Sequence, residues 1–246
     1  MANEKMHGLS GNTLKIIAAL SMVIDHIGVM LLPQVILLRV IGRISFPIFA
    51  FMIAEGCEKT SNRRRYFLSI LLLGVACQLV YFLYDGVAYM GILITFSLAI
   101  LLNYGLQAMK KALFNGTMCR RRRCIAVVSF LFLVVAVYAL NRFISIDYGF
   151  GGCMLPMFAS VFRTPSPESA PRFKRLDRLG VHVAMLGVGL VILSHAQGGV
   201  QIYSLFAIPL LLLYSGSRGT WNMKSFFYIF YPTHLATLAL IVELSV

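Results

Sequence analysis

The sequence predicts an all-α, polytopic integral membrane protein of about nine transmembrane helices, with its N-terminus in the cytoplasm and its C-terminus outside. Three observations carry that expectation. Of 246 residues, 59% are hydrophobic and only 13% are charged, more apolar surface than a water-facing exterior of this size can use. The apolar residues gather in runs near the length of about 20 that crosses roughly 30 Å of hydrocarbon. Lys and Arg crowd into alternate connecting segments, which sets an orientation.

In chain order the runs are 14–32, 36–54, 66–84, 89–107, 124–141, 148–162, 181–195, 200–214 and 226–244. The sixth, seventh and eighth are short and rich in Gly or Pro, so they are expected to be tilted, broken or partly re-entrant. The first run holds Asp25 and His26 and has no small-residue cleavage site, which marks a retained helix rather than a signal peptide. Ser10, Asn12 and Thr13 offer N-caps ahead of it. The longest polar stretch, 163–180, is a Pro-, Ser- and Arg-containing linker too short to fold alone, so residues 1–246 read as a single membrane domain.

A net charge of +13 raises nucleic-acid binding as a possibility, but its distribution argues against it. Nineteen of the 22 Lys and Arg lie in alternate segments: at Lys5 and Lys15, Lys59 to Arg65, Lys110 to Arg123, Arg163 to Arg178, and Arg218 to Lys224. The other connecting segments hold Arg142 alone, and Arg39 and Arg43 lie inside the second run. That is the pattern of cytoplasmic loops lying against anionic lipid, and it implies an odd number of crossings. The five cysteines form no CxxC pair, so neither a disulfide framework nor a zinc site is expected, and no metal is called for.

Ionisable groups within a membrane run are costly and need a reason. The first run contains Asp25–His26, the second Arg39 and Arg43 one turn apart and followed by Pro47, and the ninth His234 after Pro232. Each taken singly has a plain explanation as a buried, paired polar group that helps helices pack. Depth adds to this. His26 lies about 9 Å inward from Leu32, and Arg43 about 10 Å inward from Ile36, on helices joined by a few residues and therefore antiparallel neighbours. Asp25, His26 and Arg43 are thus expected at one level near the outer face. A His that moves protons, a carboxylate and an anion-holding Arg make a catalytic grouping. Pro47 cannot donate to the carbonyl of Arg43, nor Pro232 to that of Tyr228, so a local kink is expected at each.

The stretches LKIIAALSMVIDHIGVML, LRVIGRISFPIFAFMIAEG followed by KTSNRRRYFL, IDYGFGG, LLLYSGSRG and FFYIFYPTHL resemble successive signatures of the TraX family, named for the pilin acetylase of conjugative plasmids. They run in family order from residue 9 to about residue 240, and the N-terminal DH and GR-x-x-FP pair is the most specific part. Where the family often has His before Thr60, this chain has Lys59. The family is similar to a broader superfamily of transmembrane acyltransferases that use an acyl-CoA donor and a first-helix His. The resemblance therefore implies His26 as the catalytic residue with Asp25 beside it. It places Arg43, Glu55, Tyr148, Tyr231 and His234 among the residues lining the substrate pocket, together with Arg218. It also implies a bacterial inner membrane location, while the charge distribution argues for no nucleic-acid partner.

The leading expectation is an acetyltransferase moving an acetyl group from acetyl-CoA to an amine or hydroxyl of a peptide, glycan or small molecule, a pilin N-terminus being the family's example. Arg218 and Lys224 would attract the CoA phosphates from the cytoplasm. The pantetheine arm would thread past Tyr231 and His234 to His26, and the acceptor would enter from outside near Asp147 and Tyr148. Two other classes use similar residues. A proton-coupled transporter would favour an internal repeat or an acidic relay, and neither is visible; a non-catalytic assembly protein for pili would use the polar residues only for packing. On orientation, the charge asymmetry predicts that Arg64, Arg121, Lys174 and Lys224 face the cytoplasm and that Asp85, Asp147 and Gly199 face outward. In intact cells a membrane-impermeant thiol reagent should label Asp147→Cys and leave Lys174→Cys unlabelled; labelling at 174 overturns the topology.

Overall fold

The computed structural model describes residues 8–85, 90–164 and 171–245. Lys5, the start of the fourth run at Tyr89 and the middle of the 163–180 linker lie outside the described residues, as do the side chains of Asp85, Arg172 and Lys224. The described chain is helical, with no strand in it beyond two isolated bridges. Its helices are α1 Gly11–Met30, α2 Ile36–Gly42, α3 Ser45–Lys59, α4 Arg63–Asp85, α5 Ile92–Phe114 and α6 Arg120–Phe143. There follow α7 Gly149–Ser160, α8 Pro171–Leu176, α9 Leu179–Gln197, a 3-10 helix Gly199–Phe206, α10 Ala207–Leu212 and α11 Lys224–Ser245.

Seven helical stretches among the described residues are long and apolar enough to cross a membrane, α2 and α3 counting together as one. The seventh expected run, thought short, is a full 19-residue helix, α9. The sixth and eighth differ from a simple span. The sixth is α7, of only 12 residues, yet its flanks reach both ends of α5. Thr95 Oγ donates to the Asp147 carbonyl at 2.7 Å, and Lys110 Nζ donates to the Ser160 carbonyl at 2.9 Å. The segment therefore runs antiparallel to α5 along nearly its whole length. The eighth is the 3-10 helix followed by α10, which together rise about 25 Å, because a 3-10 turn is stretched relative to an α turn. Within the expected linker the chain forms the short helix α8.

The chain divides into two compact units, one formed by Met1–Met52 and Ser194–Val246, the other by Ile53–Leu193. In the second unit α5 packs on α4, α6 and α7, and Leu102, Val137, Ile146 and Cys153 form a buried cluster. Val128, Phe132 and Val135 on α6 are exposed, which suits a helix whose outer face meets lipid rather than water.

In the first unit α1 packs on α2 and α11, and α2 on the 3-10 helix. The start of α1 is closed by three devices. Ser10 Oγ accepts from the Thr13 amide, and the Gly11 and Asn12 amides donate to the Ser217 and Arg218 carbonyls. The second membrane run is interrupted where Pro47 predicts. Regular helix stops at Gly42, and Arg43 and Ile44 make 3-10-type contacts before α3 begins. At Pro232, by contrast, α11 continues unbroken.

The α1–α2 crossing is close because two glycines sit in it. A Cβ on Gly28 would meet Leu38 Cβ at 2.8 Å, and one on Gly42 would overlap the Asp25 side chain. Gly42→Ala should therefore lower the thermal midpoint of the detergent-purified protein, by about 1–3 kcal/mol of overpacking at least. Gly116→Ala, where a Cβ meets nothing within 4 Å, should leave that midpoint unchanged.

Candidate active site

The site begins with a carboxylate that water does not reach freely. Asp25 lies on α1 opposite Arg39 and Arg43, which are four residues apart and so share one face of α2. Arg43 Nη2 donates to both Asp25 oxygens, at 2.7 Å to Oδ1, and Arg39 Nη1 donates to Oδ2 at 2.7 Å. The Arg43 side chain is 10% exposed and that of Asp25 15%. One carboxylate shared by two guanidinium groups leaves the trio with a net positive charge in a medium that screens it poorly. Asp25 thus has the arginines as its immediate partners, although it also neighbours His26 in sequence.

His26, next along α1, meets His234 of α11, with ring centroids 5.2 Å apart and planes inclined by 50°. The His234 ring stacks on Phe230 at 5.0 Å and meets Tyr231 edge-on at 5.7 Å. His234 Nδ1 lies 2.9 Å from the Phe230 carbonyl. A carbonyl only accepts, so Nδ1 carries the hydrogen, and in the neutral ring Nε2 holds the lone pair. That Nε2 is buried and has no hydrogen-bond partner among the described residues. His26 is half-buried, and its Nδ1 is buried with no hydrogen-bond partner among the described residues.

The structure adds two residues that the sequence reading passed over. Arg43 Nη1 donates to Gln201 Oε1 at 3.2 Å, so the 3-10 helix is tied to the same cluster. Gln201 is 3% exposed and Ser204, one 3-10 turn later, is wholly buried. The signal was present as two polar residues three apart in the apolar run VQIYSLF, but a spacing of three marks one face only when the helix is of the 3-10 type. Arg39, noted in the sequence only as a basic residue inside a membrane run, proves to be the second partner of Asp25.

Of the other expected residues, His234 meets the His26 ring and Tyr231 meets His234, although counted depth had set the two imidazoles at different levels. Arg218 is exposed in the loop that covers the start of α1, its Nη2 donating to Asn222 Oδ1 at 3.1 Å. Lys224 begins α11, its side chain outside the described atoms. Glu55, Asp147 and Tyr148 belong to the second unit. Tyr148 caps α7 with a left-handed backbone, φ 57°, an uncommon conformation for a bulky residue. Glu55 accepts from Arg163 and lies 2.6 Å from Lys59 Nζ. Nearby in that unit, Lys110 Nζ also donates to the Arg163 carbonyl, and Thr164 donates to Asp177, which lies 3.0 Å from His182 Nε2. Partial burial works against ionisation of Asp177, but the Thr164 hydroxyl and amide with His182 and Arg163 outweigh it and hold the carboxyl below its ordinary range.

Comparison with known proteins gives the arrangement a family. A stretch of 66 residues is 36% identical to an uncharacterised protein of Rickettsia prowazekii (strain Madrid E), covering 27% of this chain and 25% of that protein. The match thus spans about a quarter of that relative's length. No solved structure matches. A family model described as TraX protein matches residues 10–242, which include every residue of the cluster around Asp25 and His26, and the chain therefore belongs to the TraX family.

Proposed function

We propose that the protein is a multi-pass acyltransferase of a bacterial inner membrane, transferring an acetyl group from acetyl-CoA to an amine or hydroxyl of an acceptor such as a pilin N-terminus. The observation that carries this reading is the ring contact between His26 of α1 and His234 of α11, His26 following in sequence the Asp25 that Arg39 and Arg43 hold. Acyl transfer needs a group that takes a proton from the attacking nucleophile and a positive environment for the oxygen that becomes negative. The first is an imidazole and the second a guanidinium pair, Arg43 buried and Arg39 half-buried, in excess over one carboxylate.

In this reading the acceptor's N–H or O–H gives its proton to His26 as the lone pair of nitrogen or oxygen adds to the thioester carbon. The carbonyl π electrons move onto oxygen, and collapse of the tetrahedral intermediate expels the CoA thiolate, which receives a proton from the imidazolium. His234, its tautomer held by the Phe230 carbonyl, offers a second imidazole in contact with the first. Asp25 acts through the arginines, holding Arg43 in place beside Gln201. Arg218, exposed beside the start of α1, and Lys224 would receive the CoA phosphates.

Purified protein in detergent, given radiolabelled acetyl-CoA and a peptide amine, tests this. His26→Ala should lower turnover by about 10²–10⁴-fold while leaving the thermal midpoint unchanged. A fully active, well-folded His26→Ala protein would leave packing as the only role for the histidine. Arg43→Lys should be nearly as damaging, because a single ammonium cannot span Asp25 and Gln201 as the guanidinium fork does. Wild-type activity in Arg43→Lys would show that charge alone suffices.

A further inference from the structure

The 3-10 helix Gly199–Phe206 contains two polar groups that find no partner among the described residues. Gln201 Nε2 and Ser204 Oγ are both buried, and neither makes a hydrogen bond to a described residue. The identity of the amide atoms follows from chemistry. Arg43 can only donate, so the Gln201 atom that it meets at 3.2 Å is the carbonyl oxygen, and the other is an NH2 with two hydrogens to give. A buried amide nitrogen and a buried hydroxyl with nothing to bond normally cost stability. Both lie on one face of the segment, because residues three apart eclipse in a 3-10 helix.

The surroundings hold this segment firmly in that form. Gly198 and Gly199 adopt left-handed backbones, φ 68° and 56°, a turn open to glycine at little cost. Ser194 Oγ then donates to the Gln201 carbonyl at 3.1 Å, anchoring the residue's backbone as Arg43 anchors its side chain. Gln201 is therefore rigidly presented with its donor face unspent, next to a guanidinium that is bound to the neighbour of His26.

On the reading of the protein as an acyltransferase, we propose that the Gln201 amide NH2 and the Ser204 hydroxyl are the donors for the acyl carbonyl oxygen. They would hydrogen-bond the thioester oxygen in the ground state and more strongly once the nucleophile has added and that oxygen carries the negative charge. When the C=O bond re-forms and the thiolate leaves, the same donors release a neutral carbonyl. Pre-organised side-chain donors of this kind are worth about 10²–10³ in turnover each where they have been removed elsewhere. Gln201 is then a catalytic residue, distinct from a mere prop for Arg43.

Gln201→Glu separates the two roles. The carboxylate keeps the shape and an oxygen for Arg43, and adds a charge that Arg43 should welcome, but it removes the NH2. If Gln201 only supports Arg43, the variant should match or exceed the wild type in thermal midpoint and retain its turnover. If it donates to the acyl oxygen, kcat for labelled acetyl transfer should fall about 10²-fold while KM for acetyl-CoA moves by less than about threefold. Ser204→Ala, which fills the same space less one oxygen, should lower kcat by about tenfold or more without loss of the folded state. Unchanged kcat in a folded Gln201→Glu protein overturns the donor role and leaves the acyltransferase reading standing. A wild-type protein that transfers no acetyl group to any amine or hydroxyl acceptor overturns both.

Discussion

The first unit is organised around one carboxylate. Asp25 is the only acidic residue in α1, and it sits against two arginines of the next helix. Leaving any of the three alone at membrane depth would cost several kcal/mol, so each requires the others and α1 and α2 are bound to one register. The glycines at 28 and 42 are the steric counterpart of the same requirement. Without them the helices could not come close enough for both guanidinium groups to reach the carboxylate. Arg43 then has a spare nitrogen, and it spends this on Gln201, extending the network to a third element.

The second unit solves its electrostatics differently. Glu55, Lys59, Lys110, Arg163, Asp177 and His182 come from segment ends that the charge asymmetry assigns to one side, and carbonyls at the end of α7 absorb the Lys110 ammonium. Charges near helix ends can share their cost with terminal carbonyls and water. Arg39 and Arg43 of the first unit also lie at the end of a helix, α2, but there they pair with a carboxylate, Asp25, rather than with carbonyls. A residue type alone therefore says little here: Lys110 in a run of helix ends reads as structural closure, whereas Arg43 in mid-run demands a partner and a purpose.

How far this was legible in the sequence depended on which quantity decided each feature. Helix positions came through because hydropathy and length decide them, and α9 and α11 appear close to the expected bounds. The meeting of Asp25 with Arg43 was legible because a short connection and a rise of 1.5 Å per residue leave antiparallel neighbours few choices. That His234 would touch His26 was visible only as a shared family position, since depth counted from the two helix starts placed them at different levels. Side chains in parallel helices lean and reach, and a count of rises cannot show it. Gln201 and Ser204 were hidden by a change of period, whereas α7 was expected as the short sixth run, and its flanking residues carry it along α5.

The break at Arg43 and the 3-10 form of Gly199–Phe206 are two consequences of one rule. Irregular backbone at membrane depth survives only where protein or trapped water satisfies it, and here the two irregular segments face each other through Arg43 and Gln201. Pro47 creates the first by denying a hydrogen to the carbonyl of Arg43, and the paired glycines at 198 and 199 create the second by turning the chain sharply after α9. Each segment gives up regular hydrogen bonding and gains a side chain aimed by geometry that an ordinary helix would not permit. Regular helices in this unit end up carrying the imidazoles, the carboxylate and Arg39, while the irregular segments carry Arg43 and Gln201. For the acyl transfer proposed above, that division would give the proton carrier a steady position and the oxygen-binding groups a set direction, which matters because a hydrogen bond weakens steeply once its angle falls below about 120°.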